Sequence, residues 1–599
     1  MKIKVIIYAL LFSALSINAQ RQSVLKTEQD VLGYTKVPQE SAFIHANTSL
    51  LFSGEYLYYS FYCINQKSKK LSSISKIAYV ALVGENGDYI FEHKISLKNG
   101  IGYGDFFVPV SVPSGNYKLI GYTQWMLNVK GHFFQENISI LNPYKSNQKG
   151  IVFEYSEKDS IVPSTASELL KNTKIKESTT GAFDSRINII TDAKAYDKRA
   201  LVSCKIKNSL SKNGNGNYSI SVRKKDDFSK STLTSSVAFL KENMSSAVRE
   251  KEKIGVSVFL PEMRGELIYG KIIAKNDSIS VSNQSVVLSI SEKVSDIKVS
   301  KTDDNGHFVF SLNYRNRGYT MLIQVLGDNK NNFTIMLEEN PKVTLSNMQF
   351  YKLKISPLQK ETIIKRSVHN QITNNYYKIK PDTIRESKIH EVSFYGNDII
   401  TYNLDDYTRF ETIKETIVEV VDGVRIEKNI DGKGVFKVNR SYGVLKKSKF
   451  LPLLIVDGAI VQEHDEIIYA NANKYASISY TKDRYYLGST TFDGLIVIES
   501  KERNYMKTSE KGYVSSVNLS NFKLNKDYYK QTYTDSGINY DRIPDYRYQL
   551  FWKPNLSLEE NDIDLEFFTS DVPGEYEISV EGFTQKGIPV SVVKNIIVE

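Results

Sequence analysis

The residues that could perform catalysis are few and widely spaced in this sequence. A zinc hydrolase places two histidines one helical turn apart, so that both rings reach one metal ion. The chain has no Gly-x-Ser-x-Gly segment for a serine nucleophile and no Gly-x-x-x-x-Gly-Lys-Ser/Thr loop for phosphate. The seven histidines never come one turn apart; they are His45, His93, His132, His307, His369, His390 and His464. We therefore expect a non-enzymatic protein without catalytic residues, cofactors or metal ligands.

Two acidic clusters and one tyrosine cluster leave ligand binding open as an alternative. Residues 303–306 and 559–564 supply carboxylates that could hold calcium, but neither has the spacing of a calcium loop. We interpret the first cluster as a turn. The tyrosines within residues 56–62 could stack on sugars, although aromatic residues also favour strands because they pack well there.

The two cysteines, Cys63 and Cys204, lie in apolar segments that alternate like strands. Neither has a neighbouring His or a strongly cationic cluster in sequence, so we interpret both as buried core thiols rather than nucleophiles. A disulfide between them is possible in an oxidising compartment.

The size and composition of the chain exclude several classes of protein. Its 599 residues have room for about four domains at roughly 150 residues each. Hydrophobic residues make up 41% and charged residues 24%, so global disorder is excluded. The net charge of +10 is small for this length and does not indicate nucleic-acid binding.

The first residues predict export from the cytoplasm. Lys2 and Lys4 precede an apolar run over residues 5–15, and residues 18–20 form a plausible cleavage point, so we interpret residues 1–19 as a signal peptide. No later stretch approaches the roughly 20 apolar residues of a membrane span. No Cys lies directly after the cleavage point to carry a lipid, so we expect membrane association only through a partner.

Short alternating runs separated by Gly, Asn, Asp and Pro predict consecutive antiparallel strands. Residues 76–97 illustrate this pattern, with a turn at residues 85–88. Helices are predicted at residues 236–252 and 406–419. Residues 164–181 read as a linker, and residues 367–385 are polar, basic and loop-like.

The first half of the chain resembles large exported proteins of Bacteroidota that carry macroglobulin-type domains. Residues 43–63 and 100–128 resemble one such domain, and residues 186–223 resemble a following one. Residues 260–272 and 302–308 resemble the junction and strands of a carboxypeptidase-regulatory-like domain of the same family.

The second half resembles the plug domain of TonB-dependent outer-membrane receptors. The matching segments are residues 407–415, 453–458 and 492–498, and residues 544–576 resemble the closing sandwich of orphan-plug proteins. Only 98 residues follow Lys501, and even a barrel of eight strands of about ten residues would use almost all of them. The chain is therefore not expected to be a channel. The Gly-Cys-Gly-Glu-Gln setting of a macroglobulin thioester is also missing.

The resemblance implies a mainly β fold with tandem macroglobulin- or immunoglobulin-like β-sandwiches and one α+β plug-like domain. We place macroglobulin-like sandwiches at residues 38–145 and 185–260, joined by a linker at 146–184. A carboxypeptidase-regulatory-like sandwich follows at 261–340, a connecting segment at 341–404, the plug-like domain at 405–505 and C-terminal sandwich elements at 506–599.

The plug-like domain is predicted to dock a protein partner. We expect Leu453–Val456 to be a central buried strand, Asp457-Gly458 its turn and residues 495–498 a neighbouring strand. Residues 461–466 and 482–487 are expected to be exposed loops. The candidate docking residues are Asp465, Arg484, Tyr485 and Tyr486. Charge reversal at Asp465 and Arg484 is expected to weaken partner binding without changing the thermal midpoint.

Three tripeptides resemble the Asp-Ser/Thr-aliphatic sites at which exported proteins of these bacteria receive O-linked glycans. The candidate acceptors are Ser160, Ser278 and Thr383.

These observations predict a non-enzymatic envelope protein of the periplasm or cell surface. It would act as a binding or scaffold subunit of an outer-membrane barrel complex, such as a TonB-dependent transporter or a secretion assembly. Two alternatives remain open. One is an exported hydrolase, and the other is a thioester-less macroglobulin-like protease inhibitor with a bait loop at residues 367–385.

Overall fold

The computed structural model describes residues 23–599 with internal gaps. The gaps are residues 149, 154–186, 210–213, 227, 229–232, 244–251, 291–295, 314–319, 340–341, 344, 346–347, 377–379, 386–392, 397, 440–449, 506–510, 519–520, 534–539 and 560–561. The predicted signal peptide, Ser160 and residues 164–181 lie outside the described residues.

The described residues form strands and five short to medium helices. The strands up to residue 224 are β1 (Ser23–Val24), β2 (Glu40–Ala46), β3 (Leu50–Phe52), β4 (Tyr56–Asn65), β5 (Ile77–Gly84), β6 (Tyr89–Ser96), β7 (Ile101–Phe107), β8 (Gly115–Tyr122), β9 (Phe134–Leu141), β10 (Val152–Phe153), β11 (Ile187–Thr191), β12 (Ala195–Tyr196), β13 (Leu201–Asn208) and β14 (Gly216–Lys224). The next are β15 (Ser257–Val258), β16 (Gly265–Ala274), β17 (Ser285–Ile290), β18 (Asp296–Lys301), β19 (His307–Asn313), β20 (Thr320–Val325), β21 (Phe333–Leu337), β22 (Lys354–Ile355), β23 (Thr383–Ile384) and β24 (Ile400–Asn403). The last are β25 (Val424–Lys428), β26 (Gly434–Val438), β27 (Leu453–Val456), β28 (Ala459–Ile460), β29 (Tyr475–Leu487), β30 (Thr490–Ser500), β31 (Val514–Asn518), β32 (Lys526–Asp527), β33 (Gln549–Leu558), β34 (Ile563–Phe568), β35 (Gly574–Thr584) and β36 (Pro589–Val598). The helices are α1 (Glu28–Lys36), α2 (Ser236–Asn243), α3 (Lys360–Asn375), α4 (Ile413–Glu419) and α5 (Asp465–Ile468).

The chain divides into two compact units. The first unit comprises Gln22–Gly265, Lys342–Glu386 and Phe522–Glu599, and the second comprises Glu266–Pro341 and Ser387–Asn521. Both are built mainly from antiparallel sheets, so the prediction of a mainly β fold is confirmed.

The first sandwich of the first unit packs the sheet β2-β4-β7 against the sheet β3-β9-β8-β5-β6. Alternate residues of these strands point into the core between the two sheets, where Ile44, Phe61 and Leu82 are buried. The hairpin predicted at residues 85–88 joins β5 to β6, and Gly87 takes the positive φ that its turn requires.

The second sandwich of the first unit corrects the predicted domain boundaries. Strands from residues 185–260 and from residues 506–599 were expected to lie in separate domains. Instead, β14 pairs with both β33 and β35, and β13 pairs with β34. The two segments share one hydrophobic core. Strands β11–β14 alone are too few to form both sheets of a sandwich, so strands β33–β36 complete the two sheets.

The second unit contains a small sandwich and an α+β layer. The sheet β19-β16-β21 shares a core with the sheet β18-β17-β20-β31, whose last strand comes from far beyond residue 340. The five-stranded sheet β24-β29-β30-β27-β28 packs with α4 and α5. β27 is fully buried beside β30 as predicted, and Asp457 and Gly458 form the predicted turn with φ of +48° and +84°. Residues 482–487 are not a loop, since they form the end of β29.

Residues 360–375 also differ from the prediction. The segment read as loop-like from residue 367 onward is largely helix α3, whose N-terminal turn begins with Ser356 and Pro357. The buried residues of α3 are Arg366, Ser367 and Asn370. A buried face made of polar residues gives no apolar period, so the helix could not be recognised by its pattern.

We expect trypsin to spare the Arg366–Ser367 bond in the folded protein. Arg366 is only 1% exposed and lies inside α3, so a protease can reach this bond only after local unfolding. Mass spectrometry of a limited-digestion time course measures this, with digestion in urea as the control. Early native cleavage after Arg366 would contradict the helix assignment.

The two cysteines are free and buried, as expected of core thiols. They lie on β4 and β13, and burial raises the pKa of both, that of Cys204 to about 11. We expect Ellman's reagent to titrate no thiol in the native protein and two thiols after unfolding without reductant. Fewer than two thiols in the unfolded sample would show that a disulfide forms instead.

Candidate functional site

A cleft of about 150 Å³ opens in the first unit where four segments far apart in sequence meet. The segments are the start of β4, Arg223 on β14, residues of α3 and of 380–382, and residues 528–529 with 546–552, which run into β33. The lining residues are Gly54, Glu55, Tyr56, Tyr58, Arg223, Asn370, Thr373, Asn374, Lys380, Asp382, Tyr528, Tyr529, Tyr546, Arg547, Tyr548, Gln549, Leu550, Phe551 and Trp552. The cleft therefore combines many aromatic rings with amides and charged groups.

A buried ion pair network forms one end of the cleft. Arg366 on α3 donates from Nε to Glu55 Oε1 at 2.7 Å and from Nη2 to Oε2 at 2.8 Å. Arg223 on β14 donates to Glu55 Oε2 at 2.9 Å, and Asp226 also pairs with Arg366. The guanidinium of Arg366 lies over the ring of Tyr548, 4.8 Å from its centroid.

These partners set the ionisation of the network. Burial by itself would raise the pKa of Glu55, but Arg366 and Arg223 outweigh it and lower that pKa to about 2. Glu55 is therefore a carboxylate with both oxygens occupied. It is poorly suited to act as a general acid or base near neutral pH.

A second charged cluster lies at the other side of the cleft. Arg547 donates from Nη2 to Asp545 Oδ2 at 2.7 Å, Lys380 Nζ lies 3.4 Å from Asp545 Oδ1, and Tyr533 donates to the same carboxylate. Burial opposes ionisation of Asp545, but Arg547 overcomes it and lowers the pKa of Asp545. Asp382 in turn accepts from Lys526 at 2.9 Å and from the amide of Tyr529 at 2.9 Å. The carboxylates of the cleft are thus held by cations.

Aromatic rings form the wall between the two charged clusters. Tyr56 and Tyr58 are stacked with centroids 5.6 Å apart, and Tyr58 stacks on Trp552 with centroids 5.8 Å apart. Tyr528 meets Tyr58 edge to face at 5.0 Å. Of the predicted tyrosine cluster, Tyr56 and Tyr58 line the cleft, whereas Tyr59 and Tyr62 are fully buried.

Several polar atoms that line the cleft have no hydrogen-bond partner within the part of the chain that the structure describes. They are Trp552 Nε1, Thr373 Oγ1 and Arg223 Nε. An unpaired buried donor costs about 1–3 kcal/mol, so such groups are rare and call for an explanation. A ligand that carries hydrogen-bond acceptors would supply partners.

One Ser–His contact in the first unit has the geometry of a nucleophile and its base, but a substrate could not reach the serine. Ser219 Oγ lies 2.6 Å from His45 Nδ1, and Tyr62 also donates to Ser219. Ser219 has no exposed surface, and burial lowers the pKa of His45 to about 3. The contact therefore packs the two sandwiches of the first unit together.

The predicted docking residues all lie in the second unit but in different surroundings. Asp465 begins α5, and Arg484, Tyr485 and Tyr486 lie along the end of β29. Arg484 donates to Asp493 at 2.7 Å, and the ring of Tyr485 packs against Phe394 and the core. Only the ring of Tyr486, at 67%, is largely exposed.

The structure also describes two of the candidate glycan acceptors and one of the acidic clusters. Ser278 is exposed in the turn after β16, and Thr383 is exposed on β23, so both hydroxyls are accessible. In the 303–306 turn, Asp303 Oδ1 accepts from the amides of Asn305 and His307 at 3.0 and 2.9 Å. The described residues contain no group of three or more His, Cys, Asp or Glu side chains arranged to hold a metal ion.

Comparison with known proteins gives distant matches only. No protein-family model matches the chain, and no curated protein matches it. Among solved structures, Salmonella alpha-2-macroglobulin reacted with methylamine matches at 9% identity and a TM-score of 0.23, covering 98% of this chain and 40% of that one. Escherichia coli alpha-2-macroglobulin activated by porcine elastase matches at 8% identity and a TM-score of 0.23, covering 94% and 44%. The Escherichia coli adhesin FdeC matches at 9% identity and a TM-score of 0.13, covering 48% and 59%.

The chain spans about two fifths of the length of these macroglobulins. TM-scores this low establish no shared fold, so the β-sandwich architecture rests on the strand pairing described above. Within the described residues, no helix combines the length and the apolar character that a membrane crossing requires.

The pH dependence of stability tests the role of Glu55. Its pKa in the folded protein, about 2, lies below the reference value of 4.5, so its contribution is complete above about pH 4.5 and is lost as the pH falls toward 2. We expect Glu55→Gln to lower the free energy of unfolding at pH 7 by about 3 kcal/mol. Urea unfolding of both proteins from pH 7 to about pH 3 measures the difference, which should shrink with acid.

Glu575→Gln is the matched control for this experiment. In the part of the chain that the structure describes, Glu575 forms one ion pair, with Lys225 at the surface, where exposed ion pairs contribute little. A cost of Glu55→Gln that stays the same across this pH range would show that the carboxylate charge is not what stabilises the network.

Proposed function

We propose that this chain is a non-enzymatic protein of the bacterial cell envelope that acts by binding. It would be exported and would serve as a binding or scaffold subunit of an outer-membrane assembly. The observation that carries the proposal is the cleft, in which four distant segments bring together aromatic rings and unpaired donors. Its carboxylates are already neutralised, which suits binding rather than proton transfer.

The buried Ser–His contact supports binding over hydrolysis. A hydrolase requires a nucleophile that substrate can reach and a base that takes up a proton near neutral pH. Ser219 is inaccessible and the pKa of His45 is about 3, so this pair meets neither requirement.

Helix α3 weakens the protease-inhibitor alternative. A bait segment must be extended and accessible for a protease to cut it. Most of the described part of the predicted bait, from residue 367 to residue 375, is helical, and Ser367 and Asn370 are buried. We therefore prefer the scaffold proposal.

The exposed end of β29 is the proposed contact for a protein partner. Arg484 is a poor probe of it, because reversing its charge would place a carboxylate beside the buried carboxylate of Asp493 and lower stability. Tyr486 is the better probe, since its ring is exposed and aromatic residues are frequent energetic centres of interfaces.

We expect the tagged full-length protein to recover one stoichiometric partner from gently solubilised outer membranes. Tyr486→Ala should weaken that partner's binding about thirtyfold, as the loss of about 2 kcal/mol at an interface centre would. Quantitative mass spectrometry of the eluates measures recovery, and a thermal melt confirms that the variant folds.

Val418→Ala on α4 is the matched control, because Val418 is 68% exposed and belongs to the same unit. Recovery of no partner by the wild-type protein would refute the scaffold role. Equal recovery by the wild type and Tyr486→Ala would remove the end of β29 from the interface.

A further inference from the structure

We propose that the cleft of the first unit binds a neutral saccharide, one sugar ring of which lies against Tyr58, beside Trp552 and the end of α3. The inference rests on the proposed binding function and names the chemical class of the ligand.

The unpaired atoms of the cleft require a ligand rich in hydrogen-bond acceptors. Trp552 Nε1 and Arg223 Nε can only donate, and the hydroxyl of Thr373 can donate as well. Sugar hydroxyl and ring oxygens accept such bonds. Each of the three atoms exposes less than 1 Å², so the proposal requires the half-buried rings of Tyr56, Tyr58 and Tyr528 to turn as the ligand enters.

The aromatic wall suits the apolar face of a sugar ring. A pyranose carries C–H groups on its faces and hydroxyls around its edge, so it can contact rings and donors at the same time. Tyr58 and Trp552 are nearly parallel, with an interplanar angle of 22°, and Tyr528 stands against Tyr58 at 83°. Tyr56, Tyr58 and Tyr528 are half-buried and line the cleft, so these three rings offer surface to a ligand, whereas Trp552 is only 6% exposed and contributes mainly its N–H.

The charges of the cleft favour a neutral ligand. Glu55 is held by two arginines, Asp545 by Arg547 and Lys380, and Asp382 by Lys526. An anionic ligand would have to compete with these carboxylates for the same cations. A neutral ligand leaves every ion pair intact, so it avoids the cost of exposing a buried charge.

The neighbouring strand edge is poorly suited to an extended peptide. β33 is the edge strand of its sheet, and peptides commonly bind such edges by adding a strand. Here the carbonyl of Leu550 accepts from Arg547, that of Phe551 accepts from Gln549, and that of Pro554 accepts from Ser60. Pro554 has no N–H to offer, so strand addition would find few free partners.

The size of the cleft limits how much of the ligand it can hold. Sites for drug-sized molecules measure about 300–1,000 Å³, whereas this cleft measures about 150 Å³. It can therefore enclose a single ring or the end of an oligosaccharide, with the rest of the ligand in solvent.

Tryptophan fluorescence provides a direct test because the chain has only two tryptophans. Trp125 is buried elsewhere, with its Nε1 donating to the carbonyl of Pro38 at 2.9 Å, so Trp552 reports on the cleft. The full-length protein is titrated with defined neutral hexasaccharides of glucose, mannose, galactose, xylose and N-acetylglucosamine. We expect at least one of them to change the emission with saturation.

Two variants identify the site. Trp552→Phe keeps a ring but removes the N–H, and Thr373→Val keeps the shape but removes the hydroxyl. Each should weaken binding about tenfold, measured by calorimetry with the same hexasaccharide, because each removes one hydrogen bond to the ligand. Tyr486→Ala, outside the cleft, should bind as the wild type does, and thermal melts identify any variant that fails to fold.

Each result either supports or overturns the inference. Binding of none of the five sugars, binding confined to acidic oligosaccharides, or unchanged binding by both variants would overturn it. If the sugars fail but Trp552→Phe and Thr373→Val lose the protein partner in the co-purification, the cleft is a protein contact, and the binding function stands without the saccharide. If a sugar binds but no partner is recovered, the saccharide site stands without the scaffold role.

Discussion

The buried carboxylate of Glu55 is the constraint on which the first unit depends. A charge removed from water costs several kcal/mol unless partners surround it, and Glu55 obtains its partners from two other segments. Arg223 comes from β14 in the second sandwich, and Arg366 comes from α3. The turn before β4, strand β14 and helix α3 must therefore be in place together, and their meeting forms one end of the cleft.

The turn that carries Glu55 is shaped to receive α3. Gly54 has φ of +91°, and Asn374 on α3 donates to its carbonyl at 3.0 Å. A Cβ at residue 54 would lie 2.7 Å from Asn374 Nδ2, so any other residue would be strained at this φ and would push the Asn374 amide out of its hydrogen bond. The backbone conformation of Gly54 and the ion pair between Glu55 and Arg366 thus both hold α3 against the turn before β4.

Features set by neighbouring residues could be predicted from the sequence, and features set by distant partners could not. The hairpin at residues 85–88 and the Asp457–Gly458 turn were recognisable because local residues determine them. Alternation places a residue on one face of a strand but does not identify the neighbouring strand, so the pairing of β14 with β33 and β35 was missed. Helix α3 was missed because Arg366 and Asn370 face inward while Ile364 and Val368 face solvent.

Only part of the cleft could be predicted from the sequence, because most of its lining residues come together through contacts between distant segments. Tyr56 and Tyr58 stood out because they alternate on one strand, but Thr373 and Trp552 join them only through tertiary packing.

The ion pairs that organise the cleft also fix its charge. The pKa of Glu55 is held near 2, that of Asp545 is lowered, and those of Arg366 and Arg547 are raised, so none of these four groups changes its charge near neutral pH. Recognition in this cleft therefore depends on shape, ring contacts and hydrogen bonds, which vary little with pH across the physiological range.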